Sequence, residues 1–335
     1  MSDTDYLLET RGASQDLGAW VIGLAFGRDG ESCAFALGDG TVRLAKGWQS
    51  VVAHDGACLS IAADAKDGVI TGGDDGRVMR IAPDGTTTEL AKYGSKWVDC
   101  VAAHESGLRA ASVGKAVYLI DGKGAALKSL AHPSSVTGIA FDAKGKRIAA
   151  SHYNGASLWF TASKDGSPRV LEWKGSHTGV VISPDGTHVV TTMQENTLHG
   201  WRLSDGQHMR MAGYPSKTKS LAFTSKGRWL ATAGADCVVL WPFFGGGPMG
   251  KAPTELAGGD GILCTAVACH PTQEVVAAGF DDGLVLIAEI GSGRVVPMAA
   301  PRGSAVSALA WNGTGSHLAF GTEGGFAGLI DLAKR

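Results

Sequence analysis

Val21-Ile22-Gly23-Leu24-Ala25-Phe26 opens a phrase that the chain goes on to repeat. Its centre, Leu24-Ala25, returns as Ile61-Ala62, Val101-Ala102, Ile139-Ala140, Val180-Val181, Leu221-Ala222, Val267-Ala268 and Leu309-Ala310. With Ala25 and its equivalents as slot zero, the intervals are 37, 40, 38, 41, 41, 46 and 42 residues. A unit of about 40 residues cannot bury its own apolar face, so the copies must stack, and this period marks a propeller or solenoid. All eight copies carry an aliphatic residue before zero. All eight also carry an apolar one after it: Phe26, Ala63, Ala103, Phe141, Ile182, Phe223, Cys269 and Trp311.

Four positions before zero stand Val21, Cys58, Val98, Val136, His177, Thr218, Cys264 and Val306. An apolar spacing of three and then two breaks the two-residue period of a strand, and it predicts a bulge. A second strand is read from Cys33, Ile70, Ala110, Ile148, Val189, Leu230, Val276 and Leu318. A third ends near Leu44, Ile81, Ile120, Trp159, Trp201, Trp241, Ile287 and Leu329. Between them, turns such as Gly38-Asp39-Gly40, Asp74-Asp75-Gly76 and Asn154-Gly155 supply the positive φ that tight hairpins need. Each unit is therefore an antiparallel meander. An outer fourth strand, as at Ser50 to Ala53, follows in units one to seven.

Unit eight lacks a fourth strand, while Tyr6-Leu7-Leu8-Glu9-Thr10 precedes the first meander without a partner. An open edge there is an aggregation hazard, so this segment is expected to form a strand on the last blade and close the ring. The expected fold is all-β: a single β-propeller domain over residues 1–335 with eight four-stranded blades, a seven-bladed ring being the alternative.

Lys and Arg number 30 against 32 Asp and Glu, a formal net charge of −2. That balance argues against a broad nucleic-acid surface or an anionic membrane as partner. The opening Met1-Ser2-Asp3-Thr4-Asp5 is acidic where a secretory signal is basic, and no stretch reaches the roughly 18 apolar residues of a membrane span. A soluble, cytoplasmic protein is expected.

Units of about 40 residues, with an Asp in the second turn and Trp near the end of the third strand, resemble the WD-repeat propellers. The resemblance covers essentially the whole chain, but no Trp-Asp or Gly-His dipeptide occurs. The family's loop histidine has counterparts at His54 and His132, each eight before zero. The resemblance implies that His54 bonds Asp75 and that His132 meets Asn154, as structural rather than catalytic residues.

Motifs with chemistry are few. Cys264, Cys269 and His270 offer zinc-binding atoms, yet the cysteines occupy slots filled elsewhere by Val and Phe, so they read as small buried hydrophobes. Gly245 to Lys251 approaches a phosphate-binding loop, but Ala252 stands where Ser or Thr is needed and Pro253 follows. Three before zero, only Asp99 and Lys219 carry charge among positions read as facing the axial channel. No cofactor and no metal are expected.

Two partner surfaces are expected. One is the long loop between the third and fourth strands of unit six, with Phe243, Phe244, Met249 and Lys251, whose apolar area soluble monomers avoid exposing. The other is the rim and channel mouth: Trp20, Tyr93, Trp97, Asp99, Tyr153, His177, Glu195, Tyr214 and Lys219. The favoured function is a non-catalytic scaffold binding protein partners. The competing reading is a small-ligand or metal-binding propeller, or an enzyme, using His177, Glu195, Asp99 and Lys219 at the channel mouth.

Overall fold

Each apolar phrase becomes the innermost strand of a meander: Val21–Phe26, Cys58–Ala63, Cys100–Ala103, Gly138–Phe141, Leu221–Phe223, Cys264–Cys269 and Val306–Trp311. The fifth copy forms the C-terminal part of the long strand Arg169–Ile182. This computed structural model describes residues 5–163, 166–259 and 261–334, so residues 1–4 of the acidic opening and residue 335 lie outside the described residues. The slot before zero pairs ten residues beyond zero in six units, as in Leu24 opposite Phe35 and Leu309 opposite Phe320, and nine beyond it in units two and three, where Ile61 opposes Thr71 and Val101 opposes Ala111. Register shifts mark the bulge in five first strands, at Val21/Gly23, Cys58/Ser60, His177/Gly179, Cys264/Ala266 and Val306/Ala308.

The molecule is an all-β propeller in which every strand pairing is antiparallel. Among the described residues its strands form seven hydrogen-bonded sheets, six of four strands and one of six. The expectation of eight separate blades is thereby corrected. Units four and five share the six-stranded sheet, because Arg169–Ile182, 14 residues long, pairs with Arg147–Phe160 toward its start and with His188–Met193 toward its end, with register shifts between Tyr153 and Gly155 and between His177 and Gly179. Tyr153 opposes Ser176 at the point where the outer strand of unit four becomes the inner strand of unit five.

Neighbouring units are pegged together near the axis. A hydroxyl three before zero donates to the carbonyl four before zero in the next unit: Thr265 to Val306 at 2.7 Å, Thr137 to His177 at 2.5 Å, and Ser307 to Val21 at 2.6 Å. The last of these joins the final unit to the first, so the ring is closed. Small residues beside these pegs let the backbones approach. A Cβ on Gly138 would lie 2.8 Å from Gly179 Cα, and one on Gly321 would lie 2.4 Å from Val21 Cγ1 across the closing interface. Apolar clusters fill the space between units; one joins Ile70 and Val78 to Val98, Val101 and Ala111.

The amino terminus does complete the last sheet, but with residues other than those expected. Tyr6–Thr10 is no strand: Leu7–Arg11 is a single helical turn, and Gly12–Asp16 is the strand that pairs with Phe326–Asp331. Leu7 and Leu8 prefer to pack rather than extend. Leu8 is buried among Met298, Val306, Phe320 and Ile330, a burial that contributes on the order of 1.5–3 kcal/mol.

Candidate functional site

Because strands alternate in direction, the loop entering each first strand and the turn between second and third strands lie at one end of the ring. Trp20 and Trp97 sit in such loops, and Tyr153 sits in such a turn, with its amide bonded to Ser134 Oγ of the adjoining entry loop at 2.9 Å. These three aromatics are 50%, 60% and 59% exposed. The local cause is the two-residue period. Val21 and Val98 point into the core at 0% exposure, which turns the Trp before each of them outward.

Beneath this rim lies a layer of buried polar contacts. His54 Nδ1 is 2.9 Å from Asp75 Oδ1, and its Nε2 is 2.9 Å from Thr71 Oγ1. Burial alone would raise the Asp75 carboxyl, but the Asp55 amide, His54 and Arg77 outweigh it and hold the group well below the usual carboxylate range. His177 is fully buried, with Nδ1 2.7 Å from Thr191 Oγ1 and Nε2 2.9 Å from the Trp173 carbonyl. It is not at the channel mouth, and burial lowers its pKa. Tyr214, also expected on the rim, is buried instead. Its hydroxyl lies 2.7 Å from Thr232 Oγ1 and accepts from Trp241 Nε1 at 2.6 Å.

His132 corrects a further expectation. Its Nε2 accepts from Trp159 Nε1 at 3.1 Å, while Asn154 Oδ1 takes the Gly175 amide at 3.2 Å, so the two side chains serve different partners. Asn154 is drawn to Gly175 because it holds the left-handed turn position, with φ 67°. Tyr214 as a polar anchor escaped the sequence reading, although it stands eight before zero, the slot of His54 and His132.

The remaining channel-mouth residues do not converge. A cavity of about 580 Å³ at the axis is bordered by Trp20, Lys217, Lys219, Thr265, Ser307 and Glu323; of His177, Glu195, Asp99 and Lys219, only Lys219 belongs to it. Glu195 is exposed and accepts the Ser176 amide at 3.1 Å. Asp99 is half-buried, and desolvation raises its pKa. Tyr93 packs half-buried on Tyr118 with ring centroids 4.4 Å apart. All six cysteines are free, and burial pushes the Cys100 thiol up to about 11 and the Cys58 thiol up to about 12. Among the described residues, no group of three or more His, Cys, Asp or Glu is placed to hold a metal ion.

The long loop of unit six folds back on its own unit, at the end of the ring opposite the rim. Phe243 is 6% exposed, edge-on to Phe223 and His188, so it cannot anchor a partner as expected. Phe244 rests on Trp229 with its outer side at 40% exposure, and Met249 is 50% exposed. Lys251 Nζ donates to the Phe244 and Gly247 carbonyls, which curls the loop around its own lysine. The phosphate-loop likeness ends there, since no helix follows.

Fold and contacts together define a closed β-propeller with an aromatic rim. Over residues 209–241 the chain matches the family model described as WD domain, G-beta repeat, a stretch that contains the Tyr214, Thr232 and Trp241 anchor. The resemblance to the WD-repeat propellers thus rests on matched sequence as well as architecture. Among curated proteins, Autophagy-related protein 16 of Arabidopsis thaliana is 23% identical over 285 residues, which are 82% of this chain and 55% of the relative. The chain accordingly spans about half the length of that relative. Among solved structures, the computationally designed Ika8 protein matches with a TM-score of 0.75 at 19% identity, covering 94% of this chain and 96% of the other. That likeness is one of fold alone. No helix among the described residues is long and apolar enough to cross a membrane.

Proposed function

We propose that this chain is a non-catalytic protein-interaction propeller, one domain across its length, whose partner docks on the rim carrying Trp20, Trp97 and Tyr153. The supporting observation is that three large aromatics, each half or more exposed, share one end of the ring, and aromatic side chains dominate the energetics of protein interfaces. The likeness to a WD-repeat relative from autophagy is in keeping with a scaffold role. Six unpaired thiols suit a reducing compartment such as the cytoplasm.

Replacing Trp97 and Tyr153 by Ala should release a partner that co-purifies with the unaltered protein, with Phe244→Ala as a control that retains it. Loss with the control variant but not with the rim variant would overturn the assignment. A second reading, a small ligand at the 580 Å³ axial cavity, is separated by a thermal-shift screen. A ligand at 100 times its Kd adds about 2.7 kcal/mol, and Trp20→Ala or Lys219→Ala should abolish the shift.

A further inference from the structure

Away from the aromatic rim, between units five and six, a cleft of about 660 Å³ opens beneath the unit-six loop. That volume is in the range of small-molecule sites. Its charge is not balanced. Of the acids nearby, Asp185 already accepts from Ser183 Oγ at 2.5 Å, the Thr187 amide at 3.0 Å and Thr187 Oγ1 at 2.8 Å. Asp205 is clasped by Arg202. Lys226 and Arg228 line the same cleft, both exposed, and neither has a carboxylate partner among the described residues. The Arg228 guanidinium lies 5.6 Å from the centre of the Phe244 ring, and Lys251 Nζ lies 4.8 Å from it.

Two further observations point to an absent ligand. His188 lines the cleft at 7% exposure, with Nδ1 2.8 Å from Thr187 Oγ1 and Nε2 left without any hydrogen-bond partner. Buried polar atoms are rarely left so, and each one calls for an explanation. In addition, Gly245, Gly246 and Gly247 run through positive φ of 65°, 91° and 112°. The loop's carbonyls are taken up by cations, Gly246 by Arg202 and Gly247 by Lys251. The amides of Gly245 and Gly246, both of which line the cleft, donate to no acceptor among the described residues.

We propose that this cleft binds a phosphate group carried on a planar ring. Lys226, Arg228 and the free glycine amides meet the dianion, the guanidinium supplying paired donors, and Phe244 covers the ring. The site is distinct from the partner rim and does not depend on it.

Phenyl phosphate is the probe, titrated into the full chain carrying ¹⁵N-glycine, with affinity taken from calorimetry. The amides of Gly245 and Gly246 should shift saturably. Lys226→Gln with Arg228→Gln, both surface changes, should weaken binding by about tenfold or more, the equivalent of one or two charge-assisted hydrogen bonds. Phe244→Leu should weaken phenyl phosphate while leaving inorganic phosphate unchanged. Unmoved glycine amides, an unaltered affinity in the doubly neutralised variant, or equal binding of benzyl alcohol would each overturn the proposal.

Discussion

At the scale of single residues, this protein keeps an unusual number of imidazoles away from water. Burial first, and the neighbouring His152 second, lower the pKa of His132 to about 4. For His199, which stacks on Trp173 at 3.9 Å and lies 3.0 Å from His208 Nδ1, burial and then His208 lower it to about 3. An unfolded histidine titrates near 6.5, so between that value and the folded pKa the unfolded chain binds protons that the native one cannot. The stability these neutral rings contribute is complete above about pH 6.5 and is lost as pH falls toward 4 and then 3. Each should contribute a slope of up to about 1.4 kcal/mol per pH unit. Calorimetric melting from pH 7 to pH 4.5 should show this acid loss, and His132→Phe with His199→Phe should flatten it. An unchanged slope would place the acid sensitivity elsewhere.

Elements are held to one another by a close fit of small residues against branched ones. A Cβ at Gly72 would come within 2.7 Å of Val98 Cγ1, one at Gly279 within 2.4 Å of Val306 Cγ1, and one at Gly321 within 2.4 Å of Val21 Cγ1. The same second-strand glycine thus receives the same first-strand valine of the following unit three times. Overpacking a filled interface costs about 1–3 kcal/mol. Gly321→Val should therefore lower stability by that amount, as measured by urea unfolding, and Gly321→Ala should cost less. A neutral Gly321→Val would mean that the closing interface is slack. These contacts were half legible beforehand. The valine slot four before zero is plain from the repeat, but nothing local in Gly321 reveals that Val21, 300 positions away, lies on it.

For the molecule as a whole, closure depends on the strand Gly12–Asp16 lying against Phe326–Asp331. Removing residues 1–16 would strip Leu8 from its cluster and bare the edge of the last sheet. Both a lower melting temperature, by the several degrees that 1.5–3 kcal/mol implies for a chain of this size, and concentration-dependent association in sedimentation are expected. An unchanged, monodisperse protein would show that the ring does not need its amino-terminal strand. The hydroxyl pegs act at this scale too, since Ser307 bonds Val21 in the same manner as Thr265 bonds Val306.

The amino-acid sequence alone determined the repeat, its core slots, the bulged first strands and the meander of each unit, because hydrophobic period and turn chemistry are properties of a few consecutive residues. Only the tertiary structure decided that units four and five share a sheet, that Gly12–Asp16 rather than Tyr6–Thr10 is the closing strand, and that Tyr214, His177 and Phe243 turn inward while Trp20, Trp97 and Tyr153 face water. Whether a side chain is buried depends on what the neighbouring unit, about 40 residues away in sequence, lays over it.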